Sequence, residues 1–280
     1  MLRKFICYLA TLCCCISLSV ARDLSEIRNS KVLVVGVLEN YLPFSKKEED
    51  GSFRGFEIEL AQALADEIFN GIAGYKVDFI ATRFIERIPF LQSNKVDLVI
   101  ALFPQTDEAK EIVEFSMPYL SLNTGILTRT EDHLKTFKDI KDKRIALQTN
   151  TLAEKYILSK GINKEQLSYI KWYKDGYRLL INKQVDAVVG DNVAMLGYPV
   201  IDSNVEVIQK NISSYTFVSV GATKANKELI KIVNKRLIDL SHSGWFKTSY
   251  QNTFDPFYKG TADKKYFLLD DVYNILAPQE

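Results

Sequence analysis

The sequence predicts an α/β protein with two similar lobes, each a mostly parallel sheet flanked by helices, joined by two crossing strands. The first observation is a repeated unit, because LQSNKVDLVIA (residues 91–101) is echoed by LINKQVDAVVG (residues 180–190). In both copies the end of an amphipathic helix and a polar turn precede a buried strand. The second is the alternation of strand and helix patterns in each half. The third is a pair of extended runs, residues 122–128 and 216–222.

The first half alternates strand and helix patterns. An apolar run at residues 31–37 predicts a strand, and Tyr41-Leu-Pro-Phe44 predicts the loop that leaves it. Residues 55–68 place their apolar side chains on one helical face. A strand at 76–80, a helix at 86–93 and a strand at 96–102 follow. This β-α-β-α-β order favours a parallel sheet covered by helices.

The second half repeats the pattern. We expect strands at residues 144–149, 169–173 and 187–190, with helices at 152–159 and 177–183, and a final helix at 227–241. The extended runs are the candidate crossing strands. Lobe 1 is therefore predicted to comprise residues 22–125 and 218–280, with a C-terminal extension at 255–280 of no assigned role, and lobe 2 residues 126–217. A double crossing is a natural hinge, and the cleft between two lobes is where small ligands usually bind.

The first 21 residues have the pattern of a secretory signal peptide. Arg3 and Lys4 precede an apolar run at residues 5–18, and Ser19-Val20-Ala21 supplies small residues for cleavage. The run is shorter than the roughly 20 residues that span a bilayer. We therefore expect export to the periplasm.

All four cysteines lie inside that signal, at Cys7, Cys13, Cys14 and Cys15. Residues 22–280 therefore contain no disulfide, thiolate metal site or cysteine nucleophile. No cysteine follows the small residue that bacterial lipidation favours, so a lipid anchor is not expected.

The charge balance excludes several partners. The chain has 36 basic and 35 acidic residues, so loss of Arg3 and Lys4 leaves a net charge near −1. This gives no electrostatic reason to expect nucleic acid or an anionic membrane. His133 and His242 lie in polar surroundings and are interpreted as solvated. We expect neither a metal nor a cofactor.

Eight short motifs in a fixed order carry a resemblance to a known family. They are Tyr41-x-Pro-Phe44, GFEIELA (55–61), Arg87-Ile-Pro-x-Leu91, VDLVIA (96–101), EFSMPY (114–119), Gln148-Thr-x-Thr151, VDAVVGD (185–191) and GWFK (244–247). From residue 31 to about 254 the chain resembles the amino-acid-binding subgroup of the bacterial periplasmic solute-binding proteins of ABC importers (family 3, type II flytrap fold). The resemblance implies a monomer that binds a small amino acid or amine and delivers it to the transmembrane subunits of an ABC permease.

The chain departs from the family at the ligand's carboxylate. Ala109 stands where the family usually has an Arg, and Ala cannot form its bidentate pair with a carboxylate. Pro104 replaces a Ser or Thr and removes a backbone N–H. Asn150 and Leu152 replace two residues of a Gly-Thr-Thr turn at a helix start, a usual place for an anion. Lys110 is adjacent to position 109 but points elsewhere, since consecutive helical residues do not share a face.

The resemblance also implies a set of ligand contacts. Asp191 matches the acid that meets the ligand's ammonium group, and Tyr41 and Phe84 match aromatics that pack on the ligand. Arg87 is a candidate replacement for the lost Arg, whereas Arg83 is more typical of a solvated residue. Structural alternatives remain: Asp191 as a helix cap, Tyr41 and Phe84 as core, and Arg87 paired with Glu86 or another neighbour. The predicted ligand-binding residues are Tyr41, Phe84, Arg87, Leu102, Phe103, Thr151 and Asp191.

Three functions from different classes remain. The first is a receptor for an amino acid or related small amine. A more specific version of this hypothesis is that the ligand lacks a free α-carboxylate. The second is a sensor or accessory protein of the same fold. The third is an enzyme that resembles the cyclohexadienyl dehydratases, which act on prephenate- or arogenate-type acids. That chemistry needs a carboxylate clamp and a general acid, so we expect no enzymatic activity.

Overall fold

The computed structural model describes residues 22–269 and Tyr273, so the predicted signal peptide and most of the last eleven residues lie outside it. The helices are α1 (Leu24–Ser30), α2 (Phe56–Ile68), α3 (Arg87–Gln92), α4 (Asp107–Lys110), α5 (Leu152–Ser159), α6 (Tyr173–Ile181), α7 (Asn192–Met195), α8 (Tyr198–Ile201), α9 (Lys227–His242), α10 (Trp245–Ser249) and α11 (Asp255–Tyr258). A π-helical turn, Tyr250–Phe254, joins α10 to α11. None of these helices is long and apolar enough to span a membrane.

Thirteen strands form three sheets within the described residues. They are β1 (Val32–Leu38), β2 (Asn40–Tyr41), β3 (Ser45–Lys47), β4 (Phe53–Arg54), β5 (Lys76–Thr82), β6 (Leu98–Val99), β7 (Val113–Leu122), β8 (Thr124–Arg129), β9 (Ile145–Gln148), β10 (Leu167–Ile170), β11 (Ala187–Asp191), β12 (Val205–Gln209) and β13 (Thr216–Thr223). Their spatial orders are β5-β1-β6-β13-β7, β10-β9-β11-β8-β12 and β2-β3-β4. We call the parts built on the first and second sheets lobe 1 and lobe 2.

The two large sheets have the same mixed design. In lobe 1, β1 is parallel to β5 and β6, whereas β13 is antiparallel to β6 and β7. In lobe 2, β9 is parallel to β10 and β11, whereas β8 is antiparallel to β11 and β12. The predicted two-lobed α/β fold is confirmed. Each sheet is mixed because the strands next to the crossings pair antiparallel with their neighbours.

The predicted extended run 122–128 forms two strands. β7 ends in lobe 1 and β8 begins in lobe 2, with Asn123 alone between them. Its side-chain amide donates to the carbonyl of Ser213 at 2.9 Å, and its Oδ1 accepts from the backbone N–H of Ser213 at 3.0 Å. Ser213 lies on the return crossing between β12 and β13. The two crossings are thus bonded to each other, as expected of a hinge.

The echoed Val-Asp pairs brace the sheets. Asp97 accepts the backbone N–H of Val34 at 2.8 Å, and Asp186 accepts that of Arg144 at 3.1 Å. In each lobe the aspartate therefore ties the incoming strand to the strand that starts the β-α series. The repeat reflects a shared structural unit, because both aspartates bind the backbone of their own sheet.

Two predicted boundaries were wrong. The strand expected at 169–173 ends at Ile170, and Tyr173 begins α6. Aromatic residues favour strands, but Gly176 lets this helix lie directly on β11, since a Cβ there would come within 3.0 Å of Val188. The strand expected at 96–102 is reduced to β6, because Leu102 has a left-handed backbone (φ 46°).

Candidate functional site

A cleft of about 960 Å³ lies between the lobes. Lobe 1 contributes β2, the loops around it and the turn before α3, and lobe 2 contributes the ends of β9 and β10 and helices α7 and α8. Phe257, from the C-terminal extension, completes the lining. This volume is at the upper end of the usual range for small-molecule sites.

Tyr41 connects the two lobes across this cleft. Its hydroxyl donates to Asp191 Oδ2 of lobe 2 at 3.1 Å. Its ring meets Phe84 of lobe 1 edge-on at 5.8 Å and Tyr173 of lobe 2 at 6.1 Å. Burial, followed by the charge of Asp191, raises the pKa of Tyr41 well above its ordinary value. The protonated phenol is therefore a stable donor to the carboxylate.

Asp191 ends β11 and does not cap the helix that follows it. Its side chain makes no capping bond to α7, so the helix-cap alternative is wrong. Its backbone N–H donates to the hydroxyl of Tyr173 at 3.0 Å. Gly190 permits this approach, since a Cβ there would lie 2.3 Å from the Tyr173 ring. Burial raises the pKa of Asp191, whereas the Tyr41 hydrogen bond and the positive charge of Arg87 lower it.

Arg87 lies between two aromatic rings. Its guanidinium carbon is 4.8 Å from the ring centres of both Phe84 and Phe103. Nη1 donates to the carbonyls of Leu102 at 2.6 Å and Ala101 at 3.2 Å, and Nε donates to that of Phe84 at 3.0 Å.

The structural alternative for Arg87 was a pairing with Glu86 or another neighbour. The pairing with Glu86 is wrong, because Glu86 pairs with Arg83 at 2.6 Å, whereas the bonds to the carbonyls of Phe84, Ala101 and Leu102 are with other neighbours. Burial lowers the pKa of Arg87 to about 10, so it remains a cation at neutral pH.

Leu102 and Phe103 lie behind the cleft wall. Both are buried, at 1% and 3% exposed, and neither lines the cleft. The N–H of Leu102 donates to Glu57 Oε1 at 2.7 Å, while its carbonyl accepts from Arg87. The acid Glu57 therefore binds the N–H of this left-handed residue, and the cation Arg87 binds its carbonyl. As ligand contacts, Leu102 and Phe103 stay predictions.

Glu57 is a buried acid that sequence reasoning missed. It is fully buried in α2, and its Oε1 accepts from Leu102 and from the Tyr119 hydroxyl at 2.5 Å. Its Oε2 has no hydrogen-bond partner among the described residues. Burial raises the pKa of Glu57 to about 7, against the Tyr119 and Leu102 hydrogen bonds and the charge of Arg87, which lower it. The sequence signal was a Glu on the apolar face of a helix.

The start of α5 is occupied by a carboxylate of the chain itself. Asn150, with φ 58°, donates its backbone N–H to Glu154 Oε2 at 2.6 Å. Thr151 caps the helix, since its hydroxyl accepts from the N–H of Glu154 at 3.3 Å and donates to the carbonyl of Gln148 at 2.8 Å. Glu154 therefore takes the place that an anionic ligand would occupy at this helix start.

Ala109 lies on α4, opposite the start of α5. It is 5% exposed, and its N–H donates to the hydroxyl of Thr106 at 3.2 Å. Its neighbour Glu108 forms an ion pair with Lys155 of lobe 2 at 2.7 Å. Lys110 contacts Asp107, at 3.8 Å, in agreement with the prediction that it points elsewhere.

Gln148 is a second polar residue that sequence reasoning had not assigned to the site. It ends β9, lines the cleft and is 6% exposed. Its Nε2 donates to the carbonyl of Lys171 at 2.9 Å, and Oε1 has no partner among the described residues. A buried carbonyl without a donor is costly, so this atom suits a donor on a ligand. Its position in the Gln148-Thr-x-Thr151 motif was the available signal.

The described residues contain no group of three or more His, Cys, Asp or Glu that could hold a metal ion. His133 and His242 are both exposed.

Comparison with known proteins connects this site to a family. Residues 33–256 match the family described as bacterial extracellular solute-binding proteins, family 3. A relative named as a probable histidine-binding protein of Campylobacter jejuni is 29% identical, over 80% of this chain and 85% of its own length. The crystal structure of a cysteine-binding protein from the same species has a TM-score of 0.78 at 25% identity, covering 86% of this chain and 96% of that one.

A third similar structure is a reconstructed ancestral protein. It is an amino acid-binding protein described as a precursor of cyclohexadienyl dehydratase, with a TM-score of 0.72 and 29% identity, covering 82% of this chain and 98% of that one. The relatives are mostly named as binding proteins.

Proposed function

We propose that the cleft binds a small cationic amine that lacks a free α-carboxylate. The premise is that this chain belongs to family 3 of the bacterial extracellular solute-binding proteins. The protein then delivers this amine, in the periplasm, to the transmembrane subunits of an ABC permease. Relatives of this chain are named as amino-acid-binding proteins, so the proposed ligand is an amine related to an amino acid.

The observation that carries this proposal is how the polar groups around the cleft are used. Three donors near the family's carboxylate position are bound within the chain: the Leu102 N–H to Glu57, the Asn150 N–H to Glu154, and Nε and Nη1 of Arg87 to backbone carbonyls. Position 109, where the family usually has a guanidinium, is Ala. A ligand carboxylate would have to displace these bonds.

Two acceptors at the inner end of the cleft have capacity left for a ligand, while the basic side chains of the lining belong to Lys46, Lys47, Arg83, Lys171 and Lys174. Asp191 does not itself line the cleft, but it accepts from Tyr41, which does, and a carboxylate has about four lone-pair sites, so it retains capacity beyond that bond. Gln148 lines the cleft, and its Oε1 is buried without a hydrogen-bond partner among the described residues. An ammonium group presents several N–H donors and a positive charge, and matches both acceptors.

The aromatic lining also suits a cation. Tyr41, Phe84 and Tyr173 line the cleft and meet one another at Tyr41, and Trp172 lines the same space. A cation over an aromatic face gains about 0.5–2 kcal/mol, the larger value when it is desolvated. Because the rings come from both lobes, a ligand held among them favours the closed form.

Matched ligand pairs test the proposal. Each pair is an α-amino acid and the amine left by its decarboxylation, for example histidine with histamine, arginine with agmatine, and lysine with cadaverine. Thermal unfolding of residues 22–280 is measured with each compound. At a hundredfold excess over the dissociation constant a ligand adds about 2.7 kcal/mol to the free energy of unfolding. We expect the amine of at least one pair to raise the melting temperature more than its amino acid does. A rise with the amino acid alone would contradict the proposal.

One similar structure is that of an ancestral protein described as a precursor of cyclohexadienyl dehydratase. An enzymatic function is therefore tested directly. A prephenate-type dicarboxylate would meet Asp191 and the Gln148 carbonyl in this cleft, both of which repel an anion. We expect neither stabilisation by prephenate nor its conversion. Turnover that is lost in Asp191→Asn would favour the enzyme instead.

A further inference from the structure

The C-terminal extension lies across both lobes. Residues 33–256 match the family, so α11 and the segment that follows it lie almost wholly beyond the matched region. Phe267 of this segment stacks on Phe254 at 4.2 Å and also contacts Tyr250 and Phe44. All four rings are buried. The extension is therefore anchored in the aromatic core of lobe 1.

The same segment makes hydrogen bonds to lobe 2. The hydroxyl of Tyr258 donates to the carbonyl of Val193 at 2.8 Å, and that of Thr261 donates to the carbonyl of Leu196 at 3.2 Å. Both acceptors belong to the α7 region, which follows Asp191 directly. Lys210 of the return crossing donates to the carbonyl of Thr261 at 2.9 Å. Lobe 2 is thus connected to lobe 1 a third time, through the α7 region, and the return crossing is bonded to the same segment.

Phe257 is where this connection enters the cleft. It lines the cavity, and its ring packs on Gly197, where a Cβ would lie 3.3 Å from Phe257 Cε1. Its neighbour Tyr258 meets it edge-on at 5.0 Å and carries the bond to Val193. Gly197 has no side chain, so the ring can lie against the backbone of lobe 2.

The cleft wall on this side is apolar and leads outward from Asp191. Five residues of the α7–α8 region line it, namely Val193, Ala194, Gly197, Tyr198 and Ile201. Ile201 is 75% exposed, so this end opens to solvent. A ligand with its ammonium group toward Asp191 and its apolar part along α7 and α8 would reach Phe257, which lines the same cleft.

We infer that Phe257 is a specificity-determining residue, held in place by the C-terminal extension, and that it limits the length of the apolar part of the ligand. This inference rests on the proposed function, because it takes the ammonium group to lie at Asp191. The ligand class it names is amines with a short apolar chain. The tie between the lobes, meaning the hydrogen bonds of Tyr258 and Thr261 to the α7 region, can be tested without a ligand.

The length limit is tested with a series of n-alkylamines from ethylamine to octylamine. Each buried methylene adds about fourfold in affinity, so affinity for the wild type should rise with chain length and then fall where the chain reaches Phe257. In Phe257→Ala the maximum should move to a longer amine, with about a 15-fold gain for octylamine if two further methylenes become buried. Phe257→Leu should give an intermediate profile.

Phe217→Ala is the matched control, because Phe217 is 42% exposed on β13 and does not line the cleft. Its profile should equal that of the wild type. A Phe257→Ala profile lowered by one factor at every length would show a purely structural role and overturn the length limit.

The tie between the lobes is measured without any ligand. Residues 22–280 contain no cysteine, so spin labels can be attached at Asn70→Cys in lobe 1 and Glu165→Cys in lobe 2, both exposed positions. Tyr258→Phe with Thr261→Val removes the two hydroxyl bonds to lobe 2. We expect a broader distribution of label distances in this variant. An unchanged distribution would overturn the tie. If no amine binds the wild type, the proposed function and the length limit both fail, and the distance measurement still decides the tie.

Discussion

Burial of Glu57 should make stability depend on pH in a way that one substitution removes. The folded protein buries this carboxyl fully, with one oxygen unpartnered among the described residues, and its pKa is raised from 4.5 to about 7. In the unfolded chain the group titrates at its ordinary value. Glu57→Gln keeps the size and one acceptor oxygen but cannot ionise.

The sign and size of the effect follow from the two pKa values. Between pH 4.5 and 7 the folded state binds one proton more than the unfolded state at this position. The free energy of unfolding therefore falls as pH rises, by about 1.4 kcal/mol per unit, and levels off above pH 7. The full change is about 3 kcal/mol. We therefore expect the free energy of unfolding of Glu57→Gln, relative to that of the wild type, to be about 3 kcal/mol higher at pH 8 than at pH 4.5.

Urea unfolding of both proteins between pH 4.5 and 8 measures this difference. Other buried acids titrate in the same range, but they are common to both proteins and cancel. Glu59→Gln is the matched control, since Glu59 lies on the same helix and its side chain is exposed, although partial burial raises its pKa as well. It should show a much smaller change with pH. A Glu57→Gln difference that stays constant from pH 4.5 to 8 would refute the assignment of a raised pKa to Glu57.

Three further predictions concern the cleft. Asp191→Asn should lower the affinity for an amine that stabilises the wild type. The expected loss is about 10- to 100-fold, the value of a charge-assisted hydrogen bond, and calorimetry that finds the affinity unchanged would contradict this. Ala109→Arg alone should not create binding of an α-amino acid, because the backbone donors nearby remain bound to Glu57 and Glu154; a rise in melting temperature with any such amino acid would show otherwise. Lys155→Met should leave the melting temperature unchanged at high salt, because its bond with Glu108 is an exposed ion pair, and a clear fall would mean that this pair contributes to closure.

The fold could be predicted because its signals are local and repeated. Helix α5 begins and ends where residues 152–159 predicted, since Thr151 caps it. The Val-Asp repeat marks the same bonded unit in both lobes. The start of α6 was missed because its aromatic residues favour a strand, whereas the deciding contact is between Gly176 and Val188, residues twelve positions apart.

The candidate site was only partly predictable. Tyr41, Phe84, Arg87 and Asp191 lie together, and their family positions pointed to them. The bonds of Arg87 to Leu102 and of Asn150 to Glu154 depend on backbone conformation, with φ values of 46° at Leu102 and 58° at Asn150. No sequence pattern predicts these bonds. Phe257 was missed for a different reason. It lies just past the region that resembles the family, and only the folded extension brings it to the cleft.

The most direct measurement is a crystal structure of residues 22–280 with the amine that raises the melting temperature most. We expect the ammonium nitrogen within about 3 Å of both the Asp191 carboxylate and Gln148 Oε1, with Arg87 still bonded to the carbonyl of Leu102. A ligand carboxylate bound by Arg87 and the N–H of Asn150, with Glu154 displaced, would contradict it.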